Sequence, residues 1–149
     1  MITIRRAKEG DAALVHRLLR DLAETLGKAE VFSSTASDIE RFGFGDDPRF
    51  EALLAFEGDE AVGLALYFFE FSTWRGRPGV YVQDMYVAPR MRGRGLGREL
   101  MEAVVRRSRE RGGRYVKLSV YDGNQQAIGF YRSLGFEICD GEQVLALRD

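Results

Sequence analysis

The hydrophobic positions of the chain fall into short segments of two kinds, and the order of these segments predicts the fold. Segments rich in apolar, β-branched and aromatic residues predict strands at 2–7, 51–57, 61–71, 80–87 and 115–120. Segments in which apolar residues recur every three or four positions predict helices at 11–26, 36–42, 96–111 and 124–133. The last residues predict a final hairpin that turns at Asp140–Gly141.

The order of these elements predicts an α/β fold in one domain that spans residues 1–149. A meander of three strands lies between helical segments, so we expect a mixed central sheet of about seven strands flanked by about four helices. A chain of 149 residues is long enough to bury about two-thirds of its unfolded surface.

Composition narrows the class of protein. The 45% hydrophobic and 30% charged content is ordinary for a globular protein, and the net charge of −1 gives no reason to expect nucleic acid or a membrane surface as partner. The single cysteine, Cys139, and the single histidine, His16, exclude an internal disulfide and a multi-histidine or cysteine-based metal centre. No segment has the roughly 20 apolar residues of a membrane span. We therefore expect a cytoplasmic protein with no bound metal.

The charges are unevenly distributed along the sequence. Nine arginines lie between Arg90 and Arg114 against three glutamates, whereas the segment from Asp38 to Glu60 holds eight acidic residues and two arginines. Both segments are compatible with an ordinary solvated surface. They are equally compatible with a molecule that binds an anion on one side and tolerates a cation on another.

Three glycines at alternate positions, Gly93, Gly95 and Gly97, stand directly before the third predicted helix. Each costs backbone entropy on folding, so the repetition needs a reason. The start of a helix offers free N–H groups and the positive end of the helix dipole, and glycine lets a phosphate approach them closely. Interleaved arginines would add charge-assisted hydrogen bonds. This glycine stretch predicts a site for a diphosphate-bearing ligand, with a tight turn that binds nothing as the alternative.

The glycine spacing separates this site from two common nucleotide sites. An ATP-binding loop ends in Gly-Lys followed by Ser or Thr, and the sequence has no such triplet. A dinucleotide fingerprint has the spacing G-x-G-x-x-G near the start of a βαβ unit. Here the spacing is G-x-G-x-G, and it follows predicted antiparallel strands late in the chain.

Two patterns in the sequence resemble known cofactor-binding motifs. The pattern R-x-x-G-x-G at 92–97, after YVAP at 86–89, resembles the acetyl-CoA signature of the GNAT superfamily of N-acetyltransferases. The pattern N-x-x-A-x-x-F-Y at 124–131, followed by GF at 135–136, resembles its second cofactor motif. Both occur in the expected order and on the expected elements, and the likeness spans nearly the whole chain.

The resemblance implies a fold and a chemistry. The fold would be the single-domain GNAT-like α/β fold, and the activity would be transfer of the acetyl group of acetyl-CoA to a primary amine by direct attack in a ternary complex. Within the superfamily, segments 42–55 and 67–87 resemble the diamine acetyltransferases of the spermidine/spermine and thialysine type. The subgroup implies a small amine substrate and a homodimer.

The resemblance also implies which residues bind acetyl-CoA. The backbone of the glycine stretch would hold the diphosphate. The main chain at Met85 and Val87 would pair with the pantetheine arm as an added strand, which requires the strand at 80–87 to part from that at 115–120. Asn124 would hydrogen-bond the arm. The predicted cofactor-binding residues are Met85, Tyr86, Val87, Arg92, Gly93, Arg94, Gly95, Leu96, Gly97, Arg98, Asn124, Ala127 and Tyr131.

Acetyl transfer needs an acid for the departing thiolate and a base for the ammonium group of the acceptor. The resemblance assigns the acid to Tyr131, and a phenol with a pKa of about 10 keeps its proton at neutral pH. Asp84, directly before the thioester-binding residues, is the predicted base, with Glu70 as the other candidate. The polyamine enzymes carry a glutamate where this chain has Gln83, and an amide cannot accept a proton at neutral pH.

The predicted acceptor site combines Gln83, Asp84, Glu70 and Trp74, since an exposed aromatic ring can cover an alkylammonium chain through cation–π contact. Other functions stay open at this point. One keeps the chemistry but acetylates a protein N-terminus or a lysine. Another is a non-catalytic acyl-CoA-binding module that regulates a partner. Nucleic-acid binding through the arginine-rich segment would predict salt-sensitive affinity for any polyanion.

Overall fold

A computed structural model describes residues 1–139 and 141–149, which form a five-stranded sheet and four α-helices. The strands are β1 (Ile2–Arg6), β2 (Glu51–Glu57), β3 (Glu60–Ser72), β4 (Arg77–Val87) and β5 (Val116–Leu118). The α-helices are α1 (Ala12–Thr25), α2 (Ala36–Phe44), α3 (Leu96–Glu110) and α4 (Gln125–Ser133), and 3₁₀ turns occupy Ala29–Val31 and Pro89–Met91. The chain divides into two compact units, Met1–Ser119 and Val120–Asp149.

The first unit contains the whole sheet, in the order β1–β2–β3–β4–β5. The strands from β1 to β4 pair antiparallel with one another, and β5 is parallel to β4, to which α3 connects it. The predicted hairpin around Gly58–Asp59 is present as the β2–β3 turn. The predictions of an α/β fold, a mixed sheet and four helices are confirmed, and the prediction of seven strands is wrong.

Helices cover both faces of the sheet. On one face, α1 and α2 bury Val15 and Ile39 in a cluster with Leu54 and Leu64. Neighbouring residues of a strand point to opposite faces, so Gly63 faces the other way. A Cβ atom on Gly63 would lie 3.0 Å from the Leu100 side chain, which places α3 on that second face. The predicted apolar stripe of α3 is confirmed, with Leu96, Leu100, Ala103 and Val104 all buried.

A half-buried ion pair joins α3 to the sheet. Arg107 of α3 donates two hydrogen bonds to the Glu51 carboxylate on β2, at 2.8 and 2.7 Å. Tyr67 donates its hydroxyl to Glu51 at 2.9 Å, and Arg6 adds a further hydrogen bond at 3.0 Å. Burial alone would raise the pKa of the Glu51 carboxyl, but the hydrogen bonds from Arg107 and Tyr67 outweigh burial and hold it below its usual value. Both oxygens of this carboxylate are therefore satisfied.

The second unit begins with α4, whose start is defined by a side-chain cap. The side-chain oxygen of Asn124 accepts a hydrogen bond from the Ala127 N–H at 3.2 Å, so Asn124 precedes the helix and caps it. After the helix, Gly135 adopts a φ of +100°, the left-handed conformation in which helices commonly end.

The predicted final hairpin is not formed in the described part of the chain. Residues 136–139 and 141–149 contain no strand, and the predicted turn residue Asp140 lies outside the described residues. Val144, Leu145 and Leu147 are almost fully exposed. A short apolar run forms a strand where a neighbouring edge and a core face are available to pack against, and no packing of that kind buries these side chains.

Candidate active site

The edge of β4 becomes open where β5 ends. β4 pairs with β5 only at Val80–Val82, whereas its pairing with β3 continues to Val87. Within the described residues, the segment 83–87 has no strand on the β5 side. The predicted parting of the two strands is therefore present in the first unit.

A β-bulge lies at the point where the strands part. Asp84 is in register with Leu66 and Val82 with Tyr67, which leaves Gln83 as the extra residue. A bulge of one residue reverses the alternation of the strand that contains it. Val80 and Val82 lie on the α3 face, whereas Asp84, in register with Leu66, lies on the face that α1 and α2 cover.

The bulge also determines which backbone groups face the open edge. Ala88 donates its N–H to the Val62 carbonyl of β3 at 2.8 Å. Because backbone groups alternate along a strand, Val87 and Met85 direct theirs away from β3, toward the side that β5 leaves open. Tyr86 directs its backbone to β3 and packs its ring in the core.

The Asp84 carboxyl is half-buried, and burial raises its pKa to about 6. No side chain or backbone group in the described chain donates a hydrogen bond to it, and no described cation pairs with it. A carboxylate in this situation is a stronger base than an ordinary aspartate. Gln83 beside it is exposed to solvent.

The other two acceptor-site candidates do not lie beside Asp84 in this chain. Glu70 lies four residues along β3 from the register partner of Asp84, a separation of about 13 Å. Its carboxylate accepts a hydrogen bond from the Tyr115 hydroxyl at 2.9 Å and pairs with Lys117 at 3.2 Å, so it already has a cation. Trp74 lies in the β3–β4 turn beyond Arg77 and is fully exposed, more than about 20 Å along β4 from Asp84.

The glycine stretch follows the 3₁₀ turn at the end of β4 and leads into α3. Gly93 and Gly95 have φ values of +76° and +84°, and a Cβ atom on either would meet no other atom within 4 Å. Gly95 is the N-cap of α3 and no side chain caps this end, so the first N–H groups of the helix are available to a ligand. Leu96 is buried, which anchors the helix start against the core.

The arginines of this region do not all face the glycine stretch. Arg90 donates hydrogen bonds to Glu57 and Glu60, and Arg94 lies 3.8 Å from Glu57. Arg92 donates its Nε–H to the Val87 carbonyl at 3.2 Å. The acidic and arginine-rich segments thus partly neutralise each other, so the two segments do not form two separate charged sides of the molecule.

These ion pairs were not predicted from the sequence, although the acidic turn Glu57–Glu60 was visible in the sequence. Arg98 is exposed at the start of α3.

In the second unit, Tyr131 is held by aromatic neighbours on its own helix and just after it. Its ring lies 5.1 Å from that of Phe130 and 5.6 Å from that of Phe136. Burial raises the pKa of the Tyr131 hydroxyl to about 12. Ala127 and Tyr131, four residues apart on α4, share one face of the helix. Because Asn124 uses its side-chain oxygen as a cap, its amide N–H groups are the ones left to donate.

None of the helices described is long and apolar enough to cross a membrane. Across 1–139 and 141–149, no group of three or more His, Cys, Asp and Glu side chains is arranged to hold a metal ion.

The sequence matches the model of the acetyltransferase (GNAT) family over residues 14–136. It is 34% identical over 142 residues to the thialysine N-epsilon-acetyltransferase of Bos taurus, covering 90% of this chain and 83% of that protein. It is 32% identical over 139 residues to spermidine/spermine N(1)-acetyltransferase-like protein 1 of Homo sapiens, covering 89% of this chain and 20% of that protein. An aminoglycoside acetyltransferase from an uncultured soil metagenomic sample shares the fold, with a TM-score of 0.84 at 18% identity over 99% of this chain and 97% of that one.

The open strand edge and the glycine-bearing helix start, together with the family match, identify an acyltransferase that uses acetyl-CoA as cosubstrate. The family match covers most of the chain, and the chain belongs to the acetyltransferase (GNAT) family. It is an acetyl-CoA-dependent N-acetyltransferase.

Proposed function

We propose that this enzyme acetylates a primary amine of a small molecule such as a polyamine or thialysine, with Asp84 as the general base. The position of Asp84 carries the proposal, because its half-buried, unpaired carboxyl follows the bulge at which β4 parts from β5. The names of the relatives from Bos taurus and Homo sapiens support the acceptor class.

The base has to take a proton from an ammonium group with a pKa of about 10. The pKa of an ordinary aspartate lies about six below that of the ammonium group, so proton transfer to it is strongly unfavourable. The pKa of Asp84, about 6, lies only about four below, so transfer to Asp84 is less unfavourable. At pH 7 Asp84 is still mostly ionised, so the stronger base is also the populated form. Gln83 is exposed beside it and can orient a water or the ammonium group by hydrogen bonding.

The backbone of β4 and the start of α3 bind the cosubstrate. The N–H groups of Met85 and Val87 face the open edge and would donate to the pantetheine arm and to the thioester oxygen as negative charge develops there. The N–H groups from Gly93 to Arg98 would receive the diphosphate. Glycine at 93 and 95 leaves the space in front of this backbone free of side chains.

Tyr131 donates its hydroxyl proton to the departing sulfur. A thiol has a pKa of about 8.5, so full transfer from a phenol with a pKa of about 12 is uphill by between three and four in pKa. We therefore expect the hydroxyl first to stabilise the thiolate by a hydrogen bond, with the proton following as CoA leaves. The amide of Asn124 would donate to the pantetheine arm, and the small Ala127 would leave room for it.

Three broader expectations belong to the same proposal. The family match runs from residue 14 to residue 136 and so includes parts of both units, which supports one catalytic domain over residues 1–149. We propose that this domain is cytoplasmic and forms a homodimer, and that its partners are acetyl-CoA and the amine rather than nucleic acid or membrane. Size-exclusion chromatography with light scattering tests the dimer.

The test of the function is acetyl-CoA turnover, followed by release of free thiol, with a panel of acceptors. The panel contains spermidine, putrescine, thialysine, lysine and a peptide with a free N-terminus. We expect turnover with the small amines, and much less with the peptide. Turnover with the peptide alone would overturn the proposed acceptor class, and CoA binding without turnover on any amine would indicate a regulatory module.

A further inference from the structure

The acidic turn, Glu57–Glu60, contacts the segment that leads into the glycine stretch. Arg90, in the 3₁₀ turn after β4, donates one hydrogen bond to Glu57 and another to Glu60, the latter at 2.8 Å. Arg94, between the first two glycines, lies with its Nη2 atom 3.8 Å from the Glu57 Oε2 atom. Glu57 is therefore shared between two arginines of the region that binds the diphosphate.

The two arginines are held to different degrees. Arg90 makes two hydrogen bonds to carboxylates, which fix its guanidinium group against the β2–β3 turn. The distance from Arg94 to Glu57 is too long for a hydrogen bond, and 57% of the Arg94 side chain is exposed. The other contact of its guanidinium group is a hydrogen bond from Nη1 to the Met91 sulfur at 3.3 Å, and a thioether is a weak acceptor. A loose surface ion pair of this kind costs little to break, so Arg94 can turn toward another anion.

We propose that Glu57 lowers the affinity of the enzyme for CoA by competing with the phosphates of CoA for Arg94. The proposal rests on the proposed function only in that the glycine stretch binds the diphosphate. Each time CoA binds, Arg94 exchanges the Glu57 carboxylate for a phosphate, and Glu57 draws it back as CoA leaves. Glu57 is thus a positioning residue that favours release of the CoA product.

A purely structural role for Glu57 predicts the opposite result. If Glu57 served only to brace Arg90 against the β2–β3 turn, its removal would loosen the glycine stretch and weaken CoA binding. Glu57→Gln separates the two roles, because the amide oxygen of glutamine still accepts a hydrogen bond from Arg90 while the negative charge that attracts Arg94 is gone.

Asp59→Asn is the matched control. Asp59 lies in the same turn and carries the same charge, but no described residue forms a hydrogen bond or ion pair with it. If Glu57 acted only through its contribution to the local negative potential, Asp59→Asn would change CoA binding by a similar factor. If Glu57 acts by holding Arg94, Asp59→Asn changes it little.

The experiment measures the Kd of CoA by calorimetry for the wild type, Glu57→Gln, Asp59→Asn, Arg94→Ala and the double variant Glu57→Gln/Arg94→Ala. We expect Glu57→Gln to tighten binding by about two- to fivefold, the range for a surface ion pair. We expect Asp59→Asn to leave the Kd unchanged and Arg94→Ala to weaken binding. In the Arg94→Ala background, the tightening by Glu57→Gln should disappear.

Weaker or unchanged binding in Glu57→Gln would overturn the proposal, as would equal tightening in Asp59→Asn or tightening that persists without Arg94. CoA binding is measured directly, so the result does not depend on which amine is acetylated. A wild-type protein that binds no CoA would instead overturn the proposed function, and this role of Glu57 with it. Melting temperatures of all variants, expected within a few degrees of the wild type, would exclude a folding defect as the cause.

Discussion

Asp84 is predicted to favour catalysis at the expense of stability, and the two effects can be measured on one variant. Burial raises the pKa of its carboxyl from 3.8 to about 6. Between these values the folded protein binds more protons than the unfolded chain, so stability falls as the pH rises through this range and stays lower above it. A difference of about two in pKa corresponds to about 3 kcal/mol.

Asp84→Asn removes this ionisation and keeps the shape of the side chain. At pH 8 we expect the free energy of unfolding to rise by up to about 3 kcal/mol, which for a chain of this size is about 6–12 °C in melting temperature. At pH 4, where the wild-type carboxyl is protonated in the folded protein and only partly ionised in the unfolded chain, the gain should be nearly absent. Scanning calorimetry of both proteins at the two pH values measures the effect.

The same variant should lose activity. Removal of a general base costs about 10²- to 10⁴-fold in kcat. In the wild type, kcat/KM should fall as the pH drops below about 6, where Asp84 becomes protonated, and the variant should lack this limb. Glu70→Gln is the matched control, since Glu70 is already paired with Lys117 and Tyr115, and it should retain the limb.

Two results would refute this account of Asp84. A variant with lower stability at pH 8 as well as lower activity would show that the carboxylate is needed for folding. A variant with wild-type kcat and an unchanged limb near pH 6 would show that another group takes the proton. The expected combination, a more stable and less active protein, has no explanation in a purely structural role.

Three further changes test the rest of the site and the scaffold. Tyr131→Phe should lower kcat by about 10²-fold or more with little change in the Kd of CoA, whereas Tyr115→Phe should leave kcat near the wild-type value. Gly95→Ala forces alanine to a φ of +84° and should cost about 1–2 kcal/mol and weaken CoA binding, while Gly10→Ala, at a φ of +99° in equally open space, should cost similar stability with no effect on CoA. Glu51→Gln leaves the half-buried Arg107 without its counter-ion and should cost about 1.5–3 kcal/mol, read from urea unfolding.

Local sequence patterns were sufficient for most of the elements, because each element carried its own signal. The strand 51–57 agrees with the structure at both ends, and α1 and α3 begin and end within one residue of the predicted bounds. Caps and turn residues explain this accuracy, since glycine and asparagine act over a few positions of the chain. The prediction of the final hairpin was wrong because the turn residues and the apolar run at 144–147 are also local features, whereas a strand depends on a distant partner edge.

The pairing of charged residues is a second feature that local sequence patterns do not predict. The sequence shows that arginines follow position 90 and that acids precede position 60, and solvated surface or separate binding faces both fit that distribution. Which charges meet depends on the register of β2, β3 and β4, which places Glu57 beside Arg90 and Glu51 beside Arg107. Pairings across 33 and 56 positions of the chain leave no local trace.

The bulge at Gln83 determines both the position of Asp84 and the direction of the backbone groups of β4. If β4 continued past Val82 with regular alternation instead of forming a bulge at Gln83, Asp84 would lie on the face that α3 covers. The backbone N–H and C=O groups of Met85 and Val87 would then point toward β3, and those groups of Asp84 and Tyr86 would point toward the open edge. The bulge therefore places Asp84 on the face that α1 and α2 cover and directs the N–H groups of Met85 and Val87 to the open edge. The composition of 80–87 is that of an ordinary strand, so only the pairing with β3 reveals it.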